Sequence, residues 1–208
     1  MTAPLVIASA WTLWCLLHSL LICRSLIAFF GRILGRRIAF FRLSYNFFSL
    51  ISATAIFFLQ LRLPQQQFLN WHGGWRLLQG GILLYALFMF AAGARVYDLG
   101  YFTGISQIRD YFGGKSPSGV PFSRKGILHA VRHPWYSGGL ALLFGMGGFS
   151  DVSLAAKIVL STYLVIGTVM EEKKLLVELG EEYALYRRQV PMLLPWKALG
   201  EFLRGGLE

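Results

Sequence analysis

Two short clusters carry the side chains best suited to chemistry: Arg132-His133-Pro134-Trp135-Tyr136, and Glu171-Glu172 at the end of an apolar run. Polar and ionisable groups beside a membrane core are costly to keep there, which makes them functional candidates. Proline disfavours helical geometry at His133, so the turn aims His133 and Tyr136 sideways into a cavity. Donors from that turn facing a carboxylate would hold a polar, charged cofactor against a lipidic wall. A plainer alternative stands beside this one: the turn caps a helix, and Glu171-Glu172-Lys173-Lys174 is a solvated helix end. A third group lies upstream, where Arg42, Tyr45, Asn46 and Ser49 follow i, i+3, i+4, i+7 spacing and form one polar stripe on a helix. That stripe serves either substrate recognition or helix packing, and His18 is either a base or an inter-helix hydrogen-bond partner.

The elements that position these residues are apolar. Of 208 residues, 55% are hydrophobic and only 14% charged, where a soluble domain carries about 25% charged residues. Apolar runs cover about 5–30, 38–63, 75–93, 136–149 and 152–170. The expectation is an all-α integral membrane protein of about five transmembrane helices, with a cytoplasmic C-terminal helical segment, forming a single domain over 1–208. The first run has no basic segment before it and is too long for a signal-peptide core, so it reads as a retained span. Gly138, Gly139, Gly145, Gly147 and Gly148 mark the fourth run as a place of close helix approach or a break.

The net charge of +10 brackets the apolar runs and does not line one soluble face, which argues for contact with membrane lipids and against nucleic acid. Sixteen of the 20 Lys and Arg fall between span one and the start of span two (Arg32, Arg36, Arg37 and Arg42), in 95–132 (which holds the Lys115–Gly119 loop), or after span five, where Arg204 lies. By the positive-inside rule the N-terminus is outside and the C-terminus cytoplasmic. Both chemical clusters then lie at the cytoplasmic level. Cys15 and Cys23 sit in one run without metal-ligand spacing and read as packing residues. His129 and His133 are four apart, but two nitrogens do not make a zinc site, so no metal is expected.

The order Arg132-His-Pro-Trp-Tyr-Ser-Gly138, Glu171-Glu172, Gly180-Glu-Glu-Tyr183-x-x-Tyr186 and Val190-Pro191 resembles the C-terminal signature of the isoprenylcysteine carboxyl methyltransferase family. His18-Ser19-Leu20 and Arg42-Leu-Ser-Tyr45-Asn46 resemble its bacterial branch of methanethiol-methylating and NnrU-like proteins. The resemblance implies S-adenosylmethionine as methyl donor, bound by a segment of about 105–195 on the cytoplasmic side. It implies cofactor contacts from His133, Tyr136 and Glu171, with Pro134 and Trp135 shaping the turn and Gln107 joining across a long loop. His18, Arg42, Tyr45 and Asn46 would face the substrate, and His133 or Arg132 would assist catalysis. The acceptor would be the carboxylate or thiol of a lipophilic or small membrane-accessible molecule, in a bacterial or archaeal cell membrane. Two positions depart from the pattern: Gly167 stands where prenylcysteine-modifying members carry an arginine, and Leu128 where a tyrosine is common. The rival readings are a sterol-reductase-like enzyme using NADPH and a non-enzymatic accessory protein.

Overall fold

The computed structural model describes residues 2–115, 122–197 and Gly200. Most of the Lys115–Gly119 loop and Arg204 lie outside the described residues. In chain order the helices are α1 (Ala3–Leu21), α2 (Arg24–Leu34), α3 (Phe41–Arg62), α4 (Trp75–Ala94), α5 (Leu99–Thr103), α6 (Ile105–Phe112), α7 (Pro134–Gly145), α8 (Asp151–Leu179) and α9 (Glu181–Gln189). Single 3-10 turns cover Gly35–Phe40 and Gly126–His129, and two short strands are β1 (Gln67–Leu69) and β2 (Phe149–Ser150).

Four stretches are long and apolar enough to cross a membrane: Ala3–Leu21, Arg24–Arg62, Trp75–Ala94 and Asp151–Leu179. This fits an all-α membrane protein. These differ from the five runs read in the sequence in two places, the bounds of the first run and the loss of the fourth. The first run is interrupted at Ile22 and Cys23, where α1 ends and Cys23 takes an extended conformation ahead of α2. The fourth run yields only the 12-residue α7, about 18 Å of rise against a hydrocarbon core of about 30 Å. Pro134 starts it at a position where the missing N–H costs nothing, and extended Met146 followed by Gly147 at φ +62° ends it.

The chain divides into two compact units. Unit one comprises residues 1–69, 98–121 and 148–160. Its α1 and α3 run antiparallel, as the pairs Trp11 Nε1 to Gln60 Oε1 (3.1 Å) and Trp14 Nε1 to Ser52 Oγ (2.9 Å) require. Ile7 and Trp11 bury against Val152 and Ala156 at the start of α8. β1 and β2 pair antiparallel, Gln67 opposite Ser150 and Leu69 opposite Phe149. The Ser150 hydroxyl donates to Gln65 Oε1 at 2.7 Å beside this two-strand clasp.

Unit two comprises residues 70–97, 122–147 and 161–208. Here α4 and α7 pack at backbone distance. A Cβ at Gly138 would meet the Ala86 carbonyl oxygen and Met89 Cβ, each at 3.1 Å, and one at Gly93 would meet the Trp135 ring. That ring donates its Nε1–H to the Phe90 carbonyl, so the glycine at 93 is what lets the indole lie flat on α4. Tyr183, Tyr186 and Val190 form a second core with Phe122 and Leu176.

Candidate functional site

In unit two the Arg132–Tyr136 turn is pinned from behind. The backbone N–H of Arg132 donates to the Pro191 carbonyl (3.0 Å) and that of His133 to the Met192 carbonyl (3.1 Å). His133 precedes Pro134 with φ −126° and ψ 71°, the non-helical conformation that the proline ring imposes. His133 is buried, whereas His129, on the preceding 3-10 turn, is exposed. The two histidines therefore do not share a face.

Glu171 and Glu172 are adjacent on α8, so they point about 100° apart. Glu172 points inward: its side chain is 6% exposed, against 43% for Glu171. Nε and Nη2 of Arg132 both reach Glu172 Oε1 at 2.6 Å, and Nε of Arg187 reaches Oε2 at 3.1 Å. Tyr183 donates its hydroxyl to Oε1 at 3.4 Å, and His133 Nε2 lies 3.3 Å from the same atom. The remaining Arg132 donor, Nη1, serves the carbonyls of Arg187 (3.0 Å) and Val190. Arg132 is thus consumed in fastening α8, α9 and the chain after it to the turn. Buried charges are retained only where pairing and hydrogen bonds satisfy them, and this carboxylate is satisfied on both oxygens.

Glu171 is the carboxylate left facing outward into the cluster. Its Oε2 is 3.7 Å from His133 Nδ1, and the Tyr136 hydroxyl interacts with it. The Tyr136 ring lies against Gly167, where a Cβ would sit 3.5 Å from Cε1. The His133 and Tyr136 rings meet edge to face at 5.7 Å, and Tyr97 meets Trp135 likewise at 4.8 Å. Burial holds the His133 pKa below the usual histidine value, against the opposing pull of Glu171 and then Glu172, so the imidazole is neutral at pH 7. Burial, with the Glu171 charge adding to it, raises the Tyr97 phenol. Burial also pushes Tyr186 up to about 12, against the opposing effect of Arg132; its hydroxyl donates to the Leu128 carbonyl at 2.6 Å. Both phenols stay protonated as hydrogen-bond donors.

Of the expected residues, the structure brings Arg132, His133, Pro134, Trp135, Tyr136 and Glu171 into this one cluster. The sequence did not single out Glu172 as its hub, nor Tyr97 or Arg187. The Tyr183-x-x-Tyr186 pair that precedes Arg187 was the available signal. Among the described residues no group of three or more His, Cys, Asp or Glu is placed to hold a metal ion.

Gln107, His18, Arg42, Tyr45 and Asn46 belong to unit one and form a separate network there. The Tyr45 hydroxyl lies 2.5 Å from His18 Nε2 and 2.9 Å from Nδ1, and Ser49 Oγ is 3.1 Å from Nδ1. The Trp14 ring stacks on His18 at 4.7 Å. Arg42 donates to the Tyr101 carbonyl (3.2 Å) and lies over its ring at 4.5 Å. Asn46 donates to the carbonyls of Phe102 (3.1 Å) and Thr103 (3.0 Å) at the end of α5. Gln107 donates Nε2–H to the Tyr101 carbonyl at 3.1 Å, and its Oε1 is buried without a hydrogen-bond partner.

No protein-family model and no solved structure matches the chain. Curated relatives do. Methanethiol S-methyltransferase from Crocosphaera subtropica is 35% identical over 127 residues, covering 57% of this chain and 49% of the relative. The enzyme of that name from Pseudomonas sp. is 31% identical, over 55% of this chain and 42% of its own length. That from Mycobacterium tuberculosis is 31% identical, over 45% and 38%. The chain spans about half or less of the length of these relatives. All are bacterial, and the resemblance to the methyltransferase branch read from the sequence is borne out as a similarity to these enzymes.

Proposed function

We propose that this protein is an S-adenosylmethionine-dependent membrane methyltransferase, with the Glu171 cluster of unit two as its cofactor site and a small thiol as acceptor. The observation that carries the reading is the acceptor pair formed by Glu171 Oε2 and His133 Nδ1, 3.7 Å apart. With Nε2–H donated to Glu172, the neutral imidazole presents Nδ1 as a lone pair. The carboxylate calls for a donor such as an ammonium or vicinal hydroxyls, and the Nδ1 lone pair beside it is left to take a proton from the acceptor. The aromatic faces of Tyr97, Trp135 and Tyr136 suit a sulfonium cation, which aromatic rings attract. Arg132 offers no competing positive charge, because its donors are engaged.

The donor supplies an electrophilic methyl group when bound. The chain's own tasks are to hold it in line and to exclude water. Glu171 and Tyr136 fix one end, and the half-buried aromatic wall of Trp135 and Tyr97 limits water beside it. A thiol must lose its proton to become a nucleophile, and His133, neutral at pH 7, has the protonation state to take it at Nδ1. The thiol acceptor is favoured over a prenylcysteine carboxylate by the relatives, whose names specify methanethiol, and by Gly167. With glycine against the Tyr136 ring, no guanidinium is present there to bind a carboxylate. By the positive-inside rule the cluster and the C-terminus face the cytoplasm and the N-terminus the outside.

S-adenosylhomocysteine, at a concentration well above its Kd, should raise the Tm of the detergent-solubilised protein, and NADPH should not. Glu171→Gln should lower that affinity about 10-fold or more, the worth of one charged hydrogen bond, while leaving the unliganded Tm near wild type. Protection by NADPH alone would move the protein to the reductase class. Undiminished S-adenosylhomocysteine affinity in Glu171→Gln would remove this site.

A further inference from the structure

The antiparallel pairing of α1 and α3 has a geometric consequence for what lies between them. Both helices are long enough to cross a bilayer, so residues 22–40 lie at one membrane face. The 22 residues of α3 rise about 33 Å and suffice for a core of about 30 Å. The 11 residues of α2 are surplus to that span. They rise only about 16 Å, and they are bounded by the break at Ile22–Cys23 and by Gly35 at φ +52°.

Helical spacing puts Leu26, Ile27, Phe29, Phe30, Ile33 and Leu34 on one side of α2, with Arg24 and Arg32 opposite. No residue of α2 is buried; Phe29 and Ile33 are 54% and 64% exposed. The Phe30 ring contacts Phe41 at 5.4 Å, which holds α2 at the foot of α3 while the rest of its apolar side stays open. The 3-10 turn adds Arg36 and Arg37. Arg36 donates to the Tyr111 carbonyl at 3.2 Å, and Phe40 meets the Tyr111 ring at 5.3 Å, so α6 backs the turn. No Asp or Glu occurs in the chain before Asp98, so α1, α2 and α3 offer no carboxylate to Arg32 and Arg37.

We propose that α2 and the Gly35–Phe40 turn form an interfacial binding site for anionic phospholipid, with headgroup phosphates at Arg32 and Arg37 and acyl chains against Phe29 and Ile33. A helix with one open apolar side and arginines opposite lies in the plane of the interface, and charge complementarity selects the anionic headgroup. The site is independent of methyl transfer. Its arginines are exposed, so they can be replaced without disturbing the core.

The full chain, released from mixed micelles of phosphatidylglycerol and phosphatidylcholine, can be read by native mass spectrometry for retained lipid. Wild type should retain phosphatidylglycerol preferentially. Each arginine beside an anionic surface is worth about fivefold, so Arg32→Gln/Arg37→Gln should cut the preference about 25-fold. Soluble glycerol phosphate should not compete. A spin label at position 33, in a Cys15→Ala/Cys23→Ala background, should be relaxed by oxygen dissolved in phosphatidylglycerol nanodiscs and shielded from a water-soluble nickel chelate. Equal retention of both lipids by wild type, an unchanged preference in the double variant, displacement by glycerol phosphate, or a water-exposed label at position 33 would each overturn the proposal.

Discussion

Each unit contains a polar hub, buried Glu172 in unit two and half-buried His18 in unit one, and the two are wired differently. Glu172 is a charge met by charges, with Arg132 and Arg187 on its two oxygens. Its partners come from the Arg132–Tyr136 turn and from α9. His18 is a ring met by neutral hydroxyls, Tyr45 and Ser49, and by the stacked face of Trp14. These partners come from α1 and α3, which pack together in any case. A charged hub joins elements that would otherwise separate, at the risk of a severe loss when one member goes. A neutral hub adjusts the fit of helices that apolar packing already holds.

The strongest way to break the contrast is Glu172→Ala. It strands two guanidinium groups, one of them buried, and removes the anchor between α8, α9 and the turn. Removing one member of a buried pair costs about 3–5 kcal/mol. Denaturation in detergent should show a loss of that order, together with the loss of S-adenosylhomocysteine protection. A Glu172→Ala protein as stable as wild type would mean that the aromatic core of Tyr183, Tyr186 and Val190 holds α9 unaided.

A weaker and more selective probe is pH. His133 is neutral in the folded protein because burial lowers its pKa, while the unfolded chain has an ordinary value of about 6.5. The unfolded state therefore binds the proton more readily, and the stability gained from neutral His133 is complete above about pH 6.5 and declines as the pH falls below it. The Tm of wild type should drop between pH 7 and 5, and that of His133→Gln should drop less. Identical slopes would show that other groups of the cluster dominate the titration.

How far this contrast could be read in the sequence depended on whether a signal was local. The His133-Pro134 turn was legible because the proline ring restricts the residue before it wherever it occurs. The polar stripe of α3 was legible as a face, since helical spacing fixes which side chains align. What the stripe meets was not, because Arg42 and Asn46 donate to carbonyls of α5 some 56 to 59 positions away. Glu171 and Glu172 were legible as a pair, but which of them faces inward depends on the rotation of α8 against α9. The break at Cys23 was invisible for a different reason. Apolar composition continues through it, and hydropathy carries no record of backbone direction. Gly147 had a signal, a glycine among glycines, that left close helix approach and a break open as alternatives, and it follows the end of a short helix.

The smallest change is the sharpest test of the neutral hub. Tyr45→Phe removes one hydroxyl and keeps the ring, which packs 5.0 Å from His18. His18 retains Ser49 and the Trp14 face, so no buried charge is left unpaired. Hydrogen bonds between membrane helices average about 0.6 kcal/mol, and for a chain of this length that corresponds to roughly 1–2 °C in Tm. Thermal unfolding in detergent should find a shift of that size, well under the effect of Glu172→Ala. Binding of S-adenosylhomocysteine should be unchanged, because none of the proposed cofactor contacts is made by Tyr45. A loss of thiol methylation at intact cofactor affinity would place Tyr45 at the acceptor, making the neutral hub part of the reaction. A Tm loss as large as that of Glu172→Ala would erase the distinction, since one hydroxyl would then be holding α1 to α3 as firmly as two ion pairs hold α9.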